Sequence, residues 1–150
     1  MTVTIEKPEH GWSSIKIEDS TQSFEGSLSY VDAVLDNFLD AFIVYLENRV
    51  PVAIECDEEG TEFTILIFHN CIRVMIDREE TSVRTFLTPP NEFMSAVCFE
   101  FVRNLDDWIE FDFMLMDEPS GTHIKEQKNE EYVQKLLKVR KLLLDENKGK

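Results

Sequence analysis

Residues 52–87 read VAIECDEEGTEFTILIFHNCIRVMIDREETSVRTFL. Four runs rich in apolar and β-branched residues are separated by three short polar turns, a pattern typical of an antiparallel meander. The predicted strands are Val52–Cys56, Thr61–Phe68, Cys71–Asp77 and Ser82–Leu87. Because Phe63–Phe68 is almost continuously apolar, we expect a central strand that is covered on both faces.

A helix is predicted directly before this meander. Ser29 followed by Asp32 is a variant of the capping box, and Pro51 cannot continue a helix, so we expect the helix to run from Ser29 to about Asn48. Apolar residues recur at intervals of three and four, as on one buried helix face. They are Val31, Leu35, Phe38, Phe42 and Leu46.

Two more helices are predicted after the meander. Asn91 is the expected N-cap of an amphipathic helix that ends near Leu105, and a basic helix is expected over residues 129–145. Residues 106–116 alternate in polarity, which favours a strand, although the preceding helix could continue instead. Residues 118–122 contain proline and glycine and are expected to form a loop.

The first part of the chain adds at least one strand. Trp12–Ile17 alternates between polar and apolar residues, whereas residues 1–11 are expected to be a loose, irregular lead-in. The fold class predicted for residues 1–150 is a single α+β domain. Its antiparallel sheet would hold the four-strand meander with one or two outer strands, and about three helices would pack on that sheet.

The chain has a net charge of -15, and the charge is unevenly placed. Residues 1–124 contain 25 Asp and Glu against 7 Lys and Arg, whereas residues 125–150 contain 5 against 8. Such a field repels nucleic acids and membrane surfaces and attracts cationic partners. The lysines and arginines of the last helix are expected to neutralise the acidic body or to face water.

The sequence lacks the usual signs of secretion and of catalysis. Residues 1–6 have neither a basic nor an apolar region of a signal peptide, and Cys56, Cys71 and Cys98 are widely spaced, which favours reduced thiols and a cytoplasmic location. No glycine-rich phosphate loop and no GxSxG motif occurs. We therefore expect neither an enzyme nor a cofactor. His69 beside Cys71 is at most half of a metal site.

Acidic clusters are the main candidates for binding a partner. Alternate turns of a meander lie at the same end of a sheet, so residues 57–62 and 78–81 should form one negative edge that attracts a basic protein. The helix acids spaced four apart could add to it. The candidate partner-binding residues are Asp32, Asp36, Asp40, Asp57, Glu58, Glu59, Glu62, Asp77, Glu79 and Glu80.

A resemblance extends over roughly residues 24–76. Phe24–Asp32 leads into an amphipathic helix, Pro51–Ile54 follows, and Asp57–Gly60 joins two strands. In this arrangement the chain resembles the immunity proteins of bacterial polymorphic-toxin and contact-dependent inhibition systems. The resemblance implies a non-catalytic protein whose acidic surface blocks a basic toxin, commonly a nuclease, at the site meant for phosphates. It assigns no role to an individual residue.

Two other classes of function stay open. The chain could be a homo-oligomeric structural or adaptor subunit, with helix 91–105 as a dimer face that exposes Phe93, Phe101 or Leu105. It could also be a small enzyme or ligand-binding domain that uses carboxylates in a pocket between sheet and helices.

Overall fold

A computed structural model describes residues 1–113 and 121–148, and the side chains within 1–111 and 126–146. Within these residues the chain forms strands and helices in an α+β order. They are β1 (Thr2–Ile5), β2 (Trp12–Glu18), β3 (Ser23–Ser29), α1 (Val34–Asn48), β4 (Val52–Asp57), β5 (Glu62–Ile67), β6 (Ile72–Asp77), β7 (Thr81–Phe86), α2 (Pro90–Arg103), α3 (Leu105–Phe113) and α4 (Gly121–Lys148).

The strands form two antiparallel sheets, which confirms the predicted α+β class and the meander. One sheet has the order β4-β5-β6-β7, as the sequence predicts. The outer strands do not extend this sheet but form a second one with the order β1-β2-β3. Phe24 of β3 packs on Phe63 of β5, with ring centroids 5.0 Å apart, so the two sheets share one core.

The expectation that residues 1–11 form a loose lead-in is wrong for β1. Thr2–Ile5 pairs with β2, and Val3 and Ile5 are buried on the core side. The pattern is short but alternates with a period of two, as a half-buried strand does. Gly11 with φ +83° and His10 with φ +51° make the turn into β2.

The predicted start of α1 is also wrong. Ser29 is the last residue of β3, where its hydroxyl donates to Glu59 Oε1 at 2.6 Å, and the helix begins at Val34 without a side-chain cap. Val31 is therefore outside the helix and exposed, while the rest of the predicted apolar face is buried. Tertiary contacts with the β4–β5 turn thus win over the local capping motif.

Three helices make up most of the described region after the meander. α2 begins at Pro90, a favoured first helical residue, and not after an Asn91 cap. It ends at Arg103. A separate short helix, α3, shows that residues 106–113 are helical, whereas residues 114–116 of the segment that alternation left open lie outside the described part. Helix α4 begins at Gly121, eight residues before the predicted start. The loop prediction is therefore wrong for residues 121–122, and residues 118–120 lie outside the described part.

The described helices lie on one side of the four-stranded sheet. α1 packs against β4 and α4, and α2 packs against β1. On β5, Phe63, Ile65 and Ile67 point into the core, whereas Thr64 and Leu66 are half-exposed. The prediction that both faces of this strand are covered is therefore wrong, and its apolar run is partly displayed to solvent.

Candidate functional site

An acidic row lies across one end of the four-stranded sheet. The register places Asp57 opposite Glu62 and Glu62 opposite Asp77, so three carboxylates occupy neighbouring positions on three strands. All three side chains are exposed. Like charges at such positions destabilise a sheet. The two acidic turns lie at the same end of the sheet, as predicted. Carboxylates that stay together in spite of their repulsion are candidates for binding a partner.

Two exposed apolar side chains, those of the paired residues Met75 and Val83, form a short apolar stripe beside this acidic row on the same open face. Two positions along each strand, on the same face, the sheet carries a second row of residues. They are Glu55, Thr64, Met75 and Val83, paired across the sheet in that order. Met75 is 43% exposed and Val83 is 52% exposed. We use the name open sheet face for this stripe together with the acidic row. Sequence reasoning missed Met75 and Val83, although period-two alternation placed them opposite the core.

Glu58 belongs to the same turn but already has partners. Arg78 donates to both of its carboxylate oxygens, at 3.0 and 2.7 Å, and Ser27 N–H and Thr61 Oγ1 donate at 2.9 and 2.8 Å. Burial raises the pKa of Glu58, but these hydrogen bonds and the charge of Arg78 outweigh it, and the pKa is lowered. Glu58 therefore holds the hairpin to β3.

Arg78 completes the junction between the two sheets. A guanidinium nitrogen donates to the backbone oxygen of Glu25 at 3.1 Å while it also binds Glu58. Together with the Ser27 N–H bond to Glu58, this pairing satisfies polar groups on the free edge of β3. Sequence reasoning gave Arg78 no role, because the partners lie 20 and 53 residues away in the chain.

Asp32 joins the acidic row from the segment before α1. Its Oδ2 accepts a hydrogen bond from Asp57 N–H at 2.7 Å. Burial raises the pKa of Asp32, and the charges of Asp57 and Glu55 raise it further against that hydrogen bond. Glu59, which donates its N–H to Asp57 Oδ1, accepts a hydrogen bond from the Ser29 hydroxyl. The carboxylates of Asp32 and Glu59 thus hydrogen-bond the β4–β5 turn to the end of β3 and to the segment between β3 and α1.

Asp36 and Asp40 point away from the row, toward α4. Lys135 Nζ lies 2.7 Å from Asp36 Oδ1 and 2.8 Å from Asp40 Oδ1, and Lys128 approaches Asp36 at 3.4 Å. Burial raises the pKa of Asp36, but the hydrogen bond and charge of Lys135 outweigh it, so the pKa is lowered. The structure therefore separates these acids from the others and pairs them within the chain.

The remaining candidates, Glu79 and Glu80, are exposed in the β6–β7 turn beside Arg78. Between the two turns lies a shallow polar cavity of about 380 Å³. Its lining consists of Asp57, Gly60, Thr61, Glu62, Asp77 and Arg78. The row is thus a concave acidic edge, and its one guanidinium, that of Arg78, is already paired with Glu58. Such an edge suits a basic side chain of another protein.

The histidines and cysteines do not assemble into a reactive group in the described part of the chain. His69 Nδ1 lies 3.5 Å from the Tyr45 hydroxyl, and Cys71 is buried. Burial raises the pKa of the Cys98 thiol to about 12. Among the described residues, no three His, Cys, Asp or Glu side chains form a possible metal site.

No helix within the described ranges has the length and apolar composition needed to cross a membrane. In comparisons with known proteins, no family model, no curated protein and no solved structure matches this chain. A function for this chain therefore has to follow from the open sheet face and the other surfaces themselves.

Proposed function

We propose that this chain is a non-catalytic binding protein that docks a basic protein on its open sheet face. The observation that carries the proposal is the register that aligns Asp57, Glu62 and Asp77 beside an exposed apolar stripe. Protein interfaces combine an apolar centre with a polar rim, and complementary charge gives specificity and fast association. Met75 and Val83 supply the centre here, and the carboxylates supply the rim.

The cost of the acidic row supports a binding role. Adjacent like charges on paired strands weaken the sheet by about 0.2–1 kcal/mol per pair. Asp57, Glu62 and Asp77 have no lysine or arginine ion pair among the described residues, in contrast to Glu58 and Asp36. Arg78 stands in the same cavity but is held by Glu58. A cationic partner would relieve the repulsion and gain the Coulomb attraction.

The same acidic row supports the proposal that this chain inhibits an enzyme. An enzyme that acts on nucleic acid carries a basic cleft for phosphates. A row of exposed carboxylates can pair with the basic side chains that line such a cleft and so block it, as the resemblance to immunity proteins implies. We therefore propose a basic, nuclease-type toxin as the first partner to test.

The experiment is affinity capture with the full chain as bait, from a lysate of the organism that encodes it, with mass spectrometry of what is retained. We expect a basic protein that is released at high salt. Capture should fail with the triple variant Asp57→Lys, Glu62→Lys, Asp77→Lys. It should also weaken with Val83→Asp, which disturbs the apolar stripe without removing an acid.

A charge-matched control separates this site from the general acidity of the chain. The triple variant Glu6→Lys, Glu9→Lys, Asp106→Lys changes the net charge equally, at exposed positions outside the open sheet face. It should retain the partner. Equal loss with both triple variants would sink the proposal, because the whole field and not this face would then be responsible.

A further inference from the structure

An apolar groove runs between α2 and α4, on residues that the open sheet face does not use. Its volume is about 660 Å³, and its walls include Phe99 and Val102 from α2 and Leu137 and Leu144 from α4. These four side chains are between 50% and 67% exposed. Large apolar side chains grouped in this way on a surface mark an interaction site.

The prediction that Phe93, Phe101 or Leu105 is exposed on a dimer face is wrong for the two phenylalanines. Phe93 and Phe101 are fully buried in the core, and Leu105 lies in α3, where it is only partly exposed. The helix instead exposes Phe99 and Val102, which lie on its opposite side. The exposed apolar surface is therefore on the outer side of the helix.

The spacing of the groove residues suits a helix as the occupant. Val133, Leu137, Arg140 and Leu144 follow one another at intervals of four, three and four, as do the seam residues of paired helices. Ser95, Phe99 and Val102 repeat the four and three intervals on α2. Because the walls are so exposed, the groove fits the side of another helix better than an enclosed small molecule.

Charge indicates which helix that is. Of the described residues that line the groove, Arg140 alone is charged, so this face carries little charge in a chain of net charge -15. Two copies can approach here with little repulsion, while their acidic sheets stay apart. A basic partner would gain more at the sheet.

Arg140 gives the pairing a direction. It lines the groove, and no ion pair involving it occurs among the described residues. Glu130 is exposed one turn before Val133, on the same side of α4. If two copies of α4 lie antiparallel, the end that carries Glu130 meets the end that carries Arg140 of the other copy. The two charges would then pair twice across a two-fold axis.

We propose that two copies of this chain associate through the α2–α4 groove, with the two α4 helices antiparallel. The arrangement leaves both open sheet faces free, so a dimer can bind two basic partners. This dimer does not depend on the proposed function, because the two surfaces share no residue.

The first test is the mass of the full chain by sedimentation equilibrium over a range of concentrations. We expect twice the 17.5 kDa of one chain. Leu137→Glu should raise the dissociation constant about 100-fold or more, since a two-fold interface loses the same side chain twice. Val83→Glu, an equivalent change on the open sheet face, should leave the dimer intact.

A charge exchange tests the antiparallel geometry without removing apolar contacts. Arg140→Glu should weaken the dimer, and Arg140→Glu with Glu130→Arg should restore it. Circular dichroism and thermal unfolding check that each variant is folded. A wild-type chain that stays monomeric at all concentrations would overturn the proposal, as would a dimer that persists with Leu137→Glu. Failure of the exchange to restore association would exclude the antiparallel arrangement.

Discussion

At the scale of single residues, the junction of the two sheets depends on close fit and on one ion pair. Gly26 of β3 lies against Phe24 and Phe63, and a Cβ there would stand 2.5 Å from Phe63 Cε1. Beside it, Glu58 and Arg78 hold the backbone of β3 to the hairpin. Each contact suggests a substitution with a defined outcome.

Gly26→Ala should destabilise the chain by about 1–3 kcal/mol, the usual cost of extra volume in a packed core. The added methyl would collide with two buried rings that cannot both move away. Chemical denaturation measures the change in the free energy of unfolding. Ser27→Ala on the same strand is the control and should change it by less than about 0.5 kcal/mol. Equal stability of Gly26→Ala and wild type would show that β3 does not pack as closely as described.

Glu58→Gln should destabilise the chain by about 1–2 kcal/mol at neutral pH, because it weakens hydrogen bonds to a charged group. The pKa of Glu58 is lowered from 4.5, so its contribution is complete above pH 4.5 and is lost as pH falls through the folded-state value. The variant should therefore lose less stability on acidification than wild type. Glu80→Gln in the exposed turn is the control.

Asp32→Asn should have the opposite sign. The pKa of Asp32 is raised from 3.8, so its ionisation costs stability as pH rises through that range. The amide oxygen can still accept from Asp57 N–H, while the repulsion from Asp57 and Glu55 disappears. We expect equal or slightly greater stability at pH 7, by a few tenths of a kcal/mol. Clear destabilisation by this variant would contradict the assigned cause of the raised pKa.

At the scale of secondary structure, α4 is held to α1 by apolar packing and by a row of ion pairs. Lys135 bridges Asp36 and Asp40, and Lys138 lies 2.7 Å from Glu47. Asp36 and Asp40, four residues apart on α1, repel one another. Lys135 of α4 offsets this repulsion because it pairs with both. The expectation that the basic helix neutralises the acidic body holds for these lysines.

Lys135→Met should loosen α4 by about 1–2 kcal/mol, because it leaves the half-buried Asp36 without its main partner. Hydrogen exchange of the α4 amides and chemical denaturation measure the effect. The pKa of Lys135 is raised from 10.5, so its contribution is complete below pH 10.5 and is lost as pH rises through the folded-state value. Lys141→Met, on an exposed residue of the same helix, should have little effect, and an equal effect of both would argue against the bridge.

At the scale of the whole molecule, the net charge of -15 opposes compaction. The ion pairs of α4 and of Arg78 remove only part of the repulsion, and exposed acids in the acidic row and elsewhere on the surface account for the rest. Stability and binding should therefore respond to salt in opposite directions.

Raising the salt concentration from about 0.01 M to about 0.15 M should increase the melting temperature by about 2–4 °C, as repulsion is screened. The same change should weaken capture of a basic partner. Thermal unfolding followed by circular dichroism measures the first effect. In the Glu6→Lys, Glu9→Lys, Asp106→Lys variant the gain should be smaller. A melting temperature that falls with salt would mean that attractive ion pairs dominate over net repulsion.

Periodicity was sufficient to identify the α+β class, the meander and the end of the sheet where acids gather, because these follow from local alternation and from turns a few residues long. The capping motif at Ser29, the looseness of residues 1–11 and the dimer face on Phe93 and Phe101 were wrong for a shared reason. Each depends on which surface packs against which, and that choice is made by distant residues.

The acidic candidates illustrate the same division. Primary structure alone determined that this chain is strongly acidic and where its carboxylates lie along the chain. Tertiary structure decided that Glu58 and Asp36 pair with Arg78 and Lys135, while Asp57, Glu62 and Asp77 stay exposed in a row. An ion pair forms between side chains that the fold brings within a few ångströms, and residues 20 and 99 positions apart carry no local signal of that meeting.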